Sequence, residues 1–483
     1  MGWEIEDKEF VMAYPMVIQG GMGAGVSGWQ LARAVSMTGQ LGVVSGTAID
    51  QIFARRLQLG DLGGHFRRAL QHFPDREMAD RTLEAFYIPK GKKATAPYIK
   101  TPLISINPDR TTQELIIVSN FAEVFLAKEG HRNPVGINLL EKIQLPNLFS
   151  LYGAMLAGVD YVIMGAGIPR EIPGVLDRLS EHKEVSLKIF VEHASKTDNF
   201  SVRFDPGAIL KQKLEVLKRP MFLAIVSSAT LAVMMKKKAN GKVDGFVVES
   251  PVAGGHNAPP RGNLSFNANG EPVYGERDTV DLKIIKELGL PFWLAGAWGK
   301  PEKLKEAVAH GAQGVQLGTA FAFSEESGFS RKLKRQVLND ILDGKTDVFT
   351  DSAASPTGFP FKVLSVKGSL SEEDTYRARR RICDLGYLRR PYKKPEGNLG
   401  YRCPAEPGSA YLKKGGNPSD IEGKKCLCNA LISNIGLAQS RKDGTIENSL
   451  ITSGDDILTI SRILGKKASY QAADVVEWIM NGK

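Results

Sequence analysis

Gly245-Phe246-Val247-Val248-Glu249-Ser250-Pro251-Val252-Ala253-Gly254-Gly255-His256 opens on a short run that is apolar on both faces and closes on two glycines and an imidazole. In a strand, successive side chains point to opposite sides. Gly245–Val248 is apolar on each side, which suits a parallel sheet covered on both faces better than a sheet with one wet face. The same unit recurs outward in both directions. Met16–Gln19 leads into Gly20-Gly21-Met22-Gly23, Leu41–Val44 into Ser45-Gly46-Thr47, and Tyr161–Met164 into Gly165-Ala166-Gly167, while Val135–Leu140 contains Asn138. Phe222–Val226 leads into Ser227-Ser228, Phe292–Leu294 into Ala295-Gly296, and Gly314–Leu317 into Gly318-Thr319. With the quoted stretch these make eight strand candidates.

Helical patterns follow most of them. Trp29–Met37 is amphipathic, with Ser27 or Gly28 available as its start, and Pro301–His310 begins with Pro in the first turn, followed by Glu302 and Glu306. Eight β-then-α units fit a (β/α)8 TIM barrel better than an open sheet. Two interruptions are expected as insertions. One, near residues 51–102, carries extra helices around Phe66–Phe73 and Arg76–Phe86. The other, near 186–206, reads as a hairpin that pairs Ile189-Phe190-Val191 with Phe200–Phe204. After about Ser365 the rhythm stops. Residues 1–365 are therefore assigned to the barrel, and 366–483 to a basic, Cys-containing accessory region ending in helices.

The 483 residues are 42% hydrophobic and 24% charged, the balance of a soluble globular chain. No apolar run reaches the length of a membrane span, about 18 residues. The start, Met1–Phe10, lacks a basic n-region and apolar core, so a cytoplasmic location is expected. The net charge is +10, and Lys367–Arg441 alone carries 15 Lys or Arg against 8 Asp or Glu. No nucleic-acid-binding signature accompanies that charge, and the bland reading is a solvated face.

The residues with chemistry follow strand ends. In a barrel these loops converge on one mouth. The Gly20–Gly25 turn, Ala253-Gly254-Gly255, Ala295-Gly296-Ala297 and Gly318-Thr319 let backbone approach a flat or phosphorylated ligand. His256 follows the Gly-Gly pair and is expected to face the mouth as an acid/base. His193, in the inserted hairpin, is the rival imidazole and is expected to be non-catalytic.

Val17–Met22, Val44–Thr47, Gly136-Ile137-Asn138, Glu249–His256, Ala295-Gly296 and Val315–Phe321 resemble the ordered motifs of the nitronate monooxygenase (2-nitropropane dioxygenase) family. FMN-dependent enoyl reductases share them. The resemblance runs from about Tyr14 to Phe323. It implies a non-covalent FMN with Gly20, Gly21 and Met22 along the ring edge, Thr47 and Asn138 beside it, and Gly254 and Gly255 close by. Gly296, Ala297, Gly318 and Thr319 would hold the phosphate, and His256 would be the catalytic acid/base. The implied activity is oxidation of nitronates or nitroalkanes with O2. Two alternatives stay open: an enoyl reductase or ene-reductase fed by NAD(P)H or an iron–sulfur relay, and a non-catalytic flavin-binding partner protein. The substrate is then a small molecule or an acyl thioester, and a homodimer is among the assemblies left open. The sequence departs from the family in Ala297-Trp298 after Gly296 and in Asn257–Gly262 after His256, where Arg261 is read either as an anion contact or as a surface residue.

Cys383, Cys403, Cys426 and Cys428 fall within 46 residues of a chain that has no other cysteine. Four thiolates suit Zn or an iron–sulfur cluster, and Arg402, Lys424 and Lys425 are the neighbouring cations. The spacing C-x19-C-x22-C-x-C matches no common pattern, and free thiols are the plain alternative.

Overall fold

The computed structural model describes residues 14–482 apart from 213 and 442; the Met1–Phe10 stretch discussed above lies outside the described residues. All eight strand candidates form strands. They are β1 (Val17–Gln19), β2 (Leu41–Ser45), β3 (Val135–Leu140), β4 (Tyr161–Gly165), β5 (Met221–Val226), β6 (Gly245–Glu249), β7 (Phe292–Ala295) and β8 (Gly314–Leu317). Every neighbouring pair is parallel, and the ring closes where Val17 of β1 pairs with Val315 of β8. The fold is the expected (β/α)8 barrel.

The alternation of side chains divides the core into two layers. Ile18, Leu41, Val43, Ile163, Leu223, Val247 and Trp293 pack on one another inside the barrel. Their strand neighbours, such as Val17, Val162, Phe222, Phe246 and Phe292, face the surrounding helices. This is why both faces of each run had to be apolar. The Trp293 indole is fully buried inside, and its N–H donates to the Pro15 carbonyl at 2.7 Å.

Helix α1 (Trp29–Met37) has the expected bounds and turns Leu31, Ala32 and Val35 inward. The chain then runs through helices Ile49–Gln58, His65–Leu70 and Arg76–Phe86 before α2 (Arg110–Lys128). Helix α2 starts where the Asp109 carboxylate accepts from the Thr112 N–H at 2.8 Å, an N-cap. It packs between α1 and the helix Asn147–Leu156. Helix α3 (Pro301–Ala309) follows β7 as expected.

The inserted hairpin exists, but its first strand is Val185–Lys188 rather than Ile189–Val191, and it pairs antiparallel with Ser201–Phe204. Phe190 is 69% exposed, and its N–H donates to the Gln144 side chain at 2.8 Å instead of to the ladder.

The stretch after Ser365 does not stand apart from the barrel. It contains a hairpin of Arg390–Lys393 with Leu399–Arg402, then α4 (Leu427–Asn434) and α5 (Ala472–Asn481). Helix α5 packs on both α1 and α3, and the Tyr470 hydroxyl donates to the Ala320 carbonyl at 2.7 Å. Within this stretch the buried Arg379 guanidinium grips Glu447 through two bonds of 2.5 and 2.8 Å.

Candidate active site

The four expected glycine turns meet in one cavity at the C-terminal mouth of the barrel. Its wall includes Gly20, Gly21 and Met22 after β1, and Gly254 and Gly255 after β6. Gly296 and Ala297 after β7, and Gly318 and Thr319 after β8, complete that side. Two of the glycines are required by close approach. A Cβ on Gly21 would lie 2.5 Å from the Cβ of Asn138, and one on Gly254 would lie 2.8 Å from the Ser453 carbonyl carbon.

Thr47, Asn138 and His256 are not among the residues that line this cavity. Asn138 backs the Gly21 turn and donates from Nδ2 to the Ile163 carbonyl at 2.9 Å. Thr47 precedes Ala48, whose N–H faces the Tyr387 hydroxyl. His256 sits one residue beyond the wall. Its backbone bridges to Phe361, its ring rests edge-on against Phe361 at 4.8 Å between centroids, and Nε2 is 2.7 Å from the Ser355 hydroxyl. Burial, with a smaller push from the Lys142 ammonium, lowers the imidazole to about 4, so it is neutral at physiological pH. His193, by contrast, is held 3.0 Å from an Arg402 nitrogen.

Several wall residues were not anticipated. Thr452, Ser453, Gly454 and Asp456, with Leu431 and Asn434 of α4, complete the wall, Ser453 and Gly454 packing directly against the Gly254 and Thr319 turns. Burial raises the Asp456 carboxyl, and the Thr319 hydroxyl and the Gly299 N–H, which face it, partly offset that rise. Gln316 Oε1 is buried at the wall without a hydrogen-bond partner. Glu249, the last residue of β6, lines both this cavity and a neighbouring one of about 730 Å³ bounded by Val248, Leu294, Tyr274, Leu282 and Trp298. Burial pushes the Glu249 carboxyl up to about 7. Only its place at a strand end marked it in the sequence.

A wall of closely approaching backbone after β1, β6, β7 and β8, with an unpartnered Gln316 amide oxygen in it, fits a flat, phosphorylated cofactor such as FMN. Of the two readings of Arg261, the surface one agrees with the structure: the residue is exposed and its guanidinium donates to the carbonyls of Arg277 and Ser227. The cations beside the cysteines are partly misassigned, since Arg402 pairs with Glu192 at 2.8 Å and Lys425 with Asp351 at 2.8 Å. Among the described residues no set of three or more His, Cys, Asp or Glu side chains is placed to hold a single metal ion. Neither an iron–sulfur cluster nor zinc at Cys383, Cys403, Cys426 and Cys428 is borne out: burial raises all four thiols, which leaves them neutral rather than as metal-binding thiolates. All four are free thiols, Cys403 and Cys426 being buried within the accessory region.

Among the described residues no helix is long and apolar enough to cross a membrane. The family model for nitronate monooxygenase matches residues 177–353. A probable nitronate monooxygenase of Staphylococcus haemolyticus is 31% identical over 154 residues, which are 31% of this chain and 42% of that protein. A (3aS,4S,5R,7aS)-5-hydroxy-7a-methyl-1-oxo-octahydro-1H-indene-4-carboxyl-CoA dehydrogenase of Mycobacterium tuberculosis is 27% identical over 169 residues, 35% of this chain and 43% of that one. The chain thus spans less than half the length of these curated relatives. Nitroalkane oxidase from Streptomyces ansochromogenes superposes with a TM-score of 0.47 at 16% identity, covering 97% of this chain and 95% of its own. The resemblance to the nitronate monooxygenase family therefore holds for residues 177–353, the stretch that carries the Ala253-Gly254-Gly255-His256 and Gly318-Thr319 turns.

Proposed function

We propose that this chain is an FMN-dependent oxidoreductase of the nitronate monooxygenase type. The observation that carries the reading is the convergence of the turns after β1, β6, β7 and β8 on one cavity at the barrel mouth. Gly20, Gly21, Met22, Gly254 and Gly255 would take the ring of the cofactor, with Thr47 and Asn138 supporting it from behind. Gly296, Ala297, Gly318 and Thr319 would take its phosphate. When bound, FMN supplies the two-electron chemistry, and the protein supplies orientation and proton handling.

His256 is the acid/base of this reading. It lies one residue beyond the Gly254-Gly255 wall, with Nε2 2.7 Å from the Ser355 hydroxyl holding its ring, and cofactor or substrate binding would have to raise it from about 4 for it to act near neutral pH. Phe361 packs edge-on against one side of the ring, 4.8 Å between centroids. The Trp293 layer closes the barrel below, so the substrate meets the cofactor only from the mouth.

A second reading rests on the neighbouring cavity of about 730 Å³, whose mainly apolar wall suits an extended acyl chain better than a small nitronate. In that reading the chain reduces an enoyl thioester and takes electrons from NAD(P)H. Purified protein is therefore assayed in two ways: for O2 consumption with propyl-2-nitronate, and anaerobically with NAD(P)H and an enoyl thioester. Turnover in the first arm supports the nitronate reading; turnover only in the second replaces it. His256→Ala is expected to retain FMN and lose about 10²–10⁴ in rate. Bound FMN with no turnover in either arm would make the chain a flavin-binding partner protein, and a protein that takes up no FMN would overturn both readings.

A further inference from the structure

The loop after β3, the inserted hairpin and the accessory region enclose a further cavity of about 420 Å³. That is within the range of small-molecule sites, about 300–1,000 Å³. None of its lining residues lines the cavity assigned to the cofactor. Its wall brings together Lys142, Ile189, Phe190, Leu385 and Arg390. The hairpin and the accessory region are joined at its edge, where the Glu192 N–H donates to the Pro391 carbonyl at 3.0 Å and the Lys393 N–H to the Glu192 carbonyl at 2.9 Å.

Apolar side chains and one ammonium shape this wall. Ile189 and Leu385 are buried, whereas Phe190 keeps its ring exposed at the cavity, a surface that an apolar ligand would take out of water. The arginines are engaged with backbone: Arg389 donates to the Gly386 and Ile104 carbonyls, both at 3.0 Å, and Arg390 to the Pro356 carbonyl at 3.0 Å. The Glu141 carboxylate accepts from the Gln144 amide at 2.8 Å. The Lys142 ammonium instead stands 3.7 Å from the centroid of the Phe359 ring, and among the described residues it forms no ion pair. One such ammonium, with the Glu141 carboxylate on the same wall, suits a ligand carrying a single negative charge better than a phosphate dianion.

We propose that this cavity binds an amphipathic carboxylate, with its charge on Lys142 and its apolar body against Ile189, Phe190 and Leu385. The same wall reaches His256. Phe359, beneath the Lys142 ammonium, stands 6.3 Å from the imidazole between centroids. The Ser355 hydroxyl, 2.7 Å from His256 Nε2, is also 2.8 Å from the hydroxyl of Thr357, a residue of the cavity wall. A carboxylate at Lys142 therefore offsets the push of that ammonium on the imidazole. Binding here does not require a flavin at the mouth.

The probe is octanoate, titrated calorimetrically into the full chain, once with saturating FMN and once with none added. One saturable site is expected in both titrations, with octanamide, the neutral analogue, binding about tenfold more weakly, and octanoate losing about tenfold in Lys142→Met. That variant should keep its flavin content and its melting temperature, because Lys142 is exposed. The His256 ring resonances, assigned by their loss in His256→Gln, should move when octanoate is added. Absence of saturable binding, equal affinity for octanamide, full affinity in Lys142→Met or an unmoved His256 ring overturns the proposal. Competition between octanoate and FMN would place the ligand in the cofactor cavity and overturn it too, as would octyl phosphate binding more tightly than octanoate. A chain that takes up no FMN still gives the second titration, so failure of the flavin reading leaves this test intact.

Discussion

Gly21→Ala is the sharpest probe of the mouth. The added Cβ would lie 2.5 Å from the Asn138 Cβ and 2.8 Å from its Oδ1, where carbon atoms ordinarily stand about 3.5–4.0 Å apart. Asn138 cannot retreat easily: it belongs to a buried barrel strand, and its amide is bonded to the Ile163 carbonyl at 2.9 Å. The Gly21 turn must therefore move by about 1 Å, and overpacking of this kind costs about 1–3 kcal/mol. If that cost falls on the bound state, FMN affinity drops about 5- to 150-fold, since about 1.4 kcal/mol is tenfold. Titration of apoprotein with FMN, followed by flavin fluorescence, reads the loss, and a melt of the apoprotein shows how much falls on folding instead. A double-mutant cycle locates the cause. In an Asn138→Ala background the 2.5 Å contact to the Cβ remains while the 2.8 Å contact to Oδ1 is gone, so Gly21→Ala should cost part of what it did before, whereas in an Asn138→Gly background it should cost nothing. Wild-type FMN affinity in Gly21→Ala, with an unchanged apoprotein melt, would refute the reasoning, as would equal relief from both backgrounds.

Glu249→Gln should change the pH dependence of stability. The folded carboxyl titrates at about 7 against an ordinary 4.5, so the unfolded chain releases its proton first and stability falls as pH rises through that window. The variant should melt with the wild type at pH 4.5 and above it at pH 8; the same gap at both pH values would contradict this. Glu447→Gln leaves the buried Arg379 guanidinium uncompensated, and loss of about 3–5 kcal/mol is expected in chemical denaturation; a change below about 1 kcal/mol would mean that water reaches the pair. Asp456→Asn removes a carboxylate from the donors of Thr319 and Gly299, so a phosphorylated flavin should bind several-fold tighter and riboflavin, which has no phosphate, should show no change. An equal effect on both would place the phosphate elsewhere.

The barrel was legible because burial on both faces left its strands no polar side, and runs such as Phe292–Leu294 stand out against their surroundings. Helix α2 was not, since Leu115–Val118, Phe121, Ala122, Val124, Leu126 and Ala127 are buried nearly all around it and erase the stripe that a surface helix shows. The displaced hairpin strand shows the opposite trap: Ile189-Phe190-Val191 is the more apolar run, yet the ladder forms one turn earlier, where Val185 and Leu187 alternate with exposed Ser186 and Lys188. At the site, turns bound to strand ends could be placed from the chain order alone. Thr452–Asp456 could not, because a polar turn with one glycine carries no mark of what it packs against. The burial of Cys403 and Cys426 likewise depends on pairings across the accessory region, and spacings of 19 and 22 residues hold no local sign of it.

The packed interior beneath the mouth has a consequence for traffic. With the Trp293 indole anchored to Pro15 and aliphatic side chains filling the space above it, the barrel has no rear exit. Whatever the cavity consumes and whatever it yields must therefore cross the mouth, either past Thr452–Asp456 or by way of the neighbouring cavity that meets it at Glu249, and never along the barrel axis.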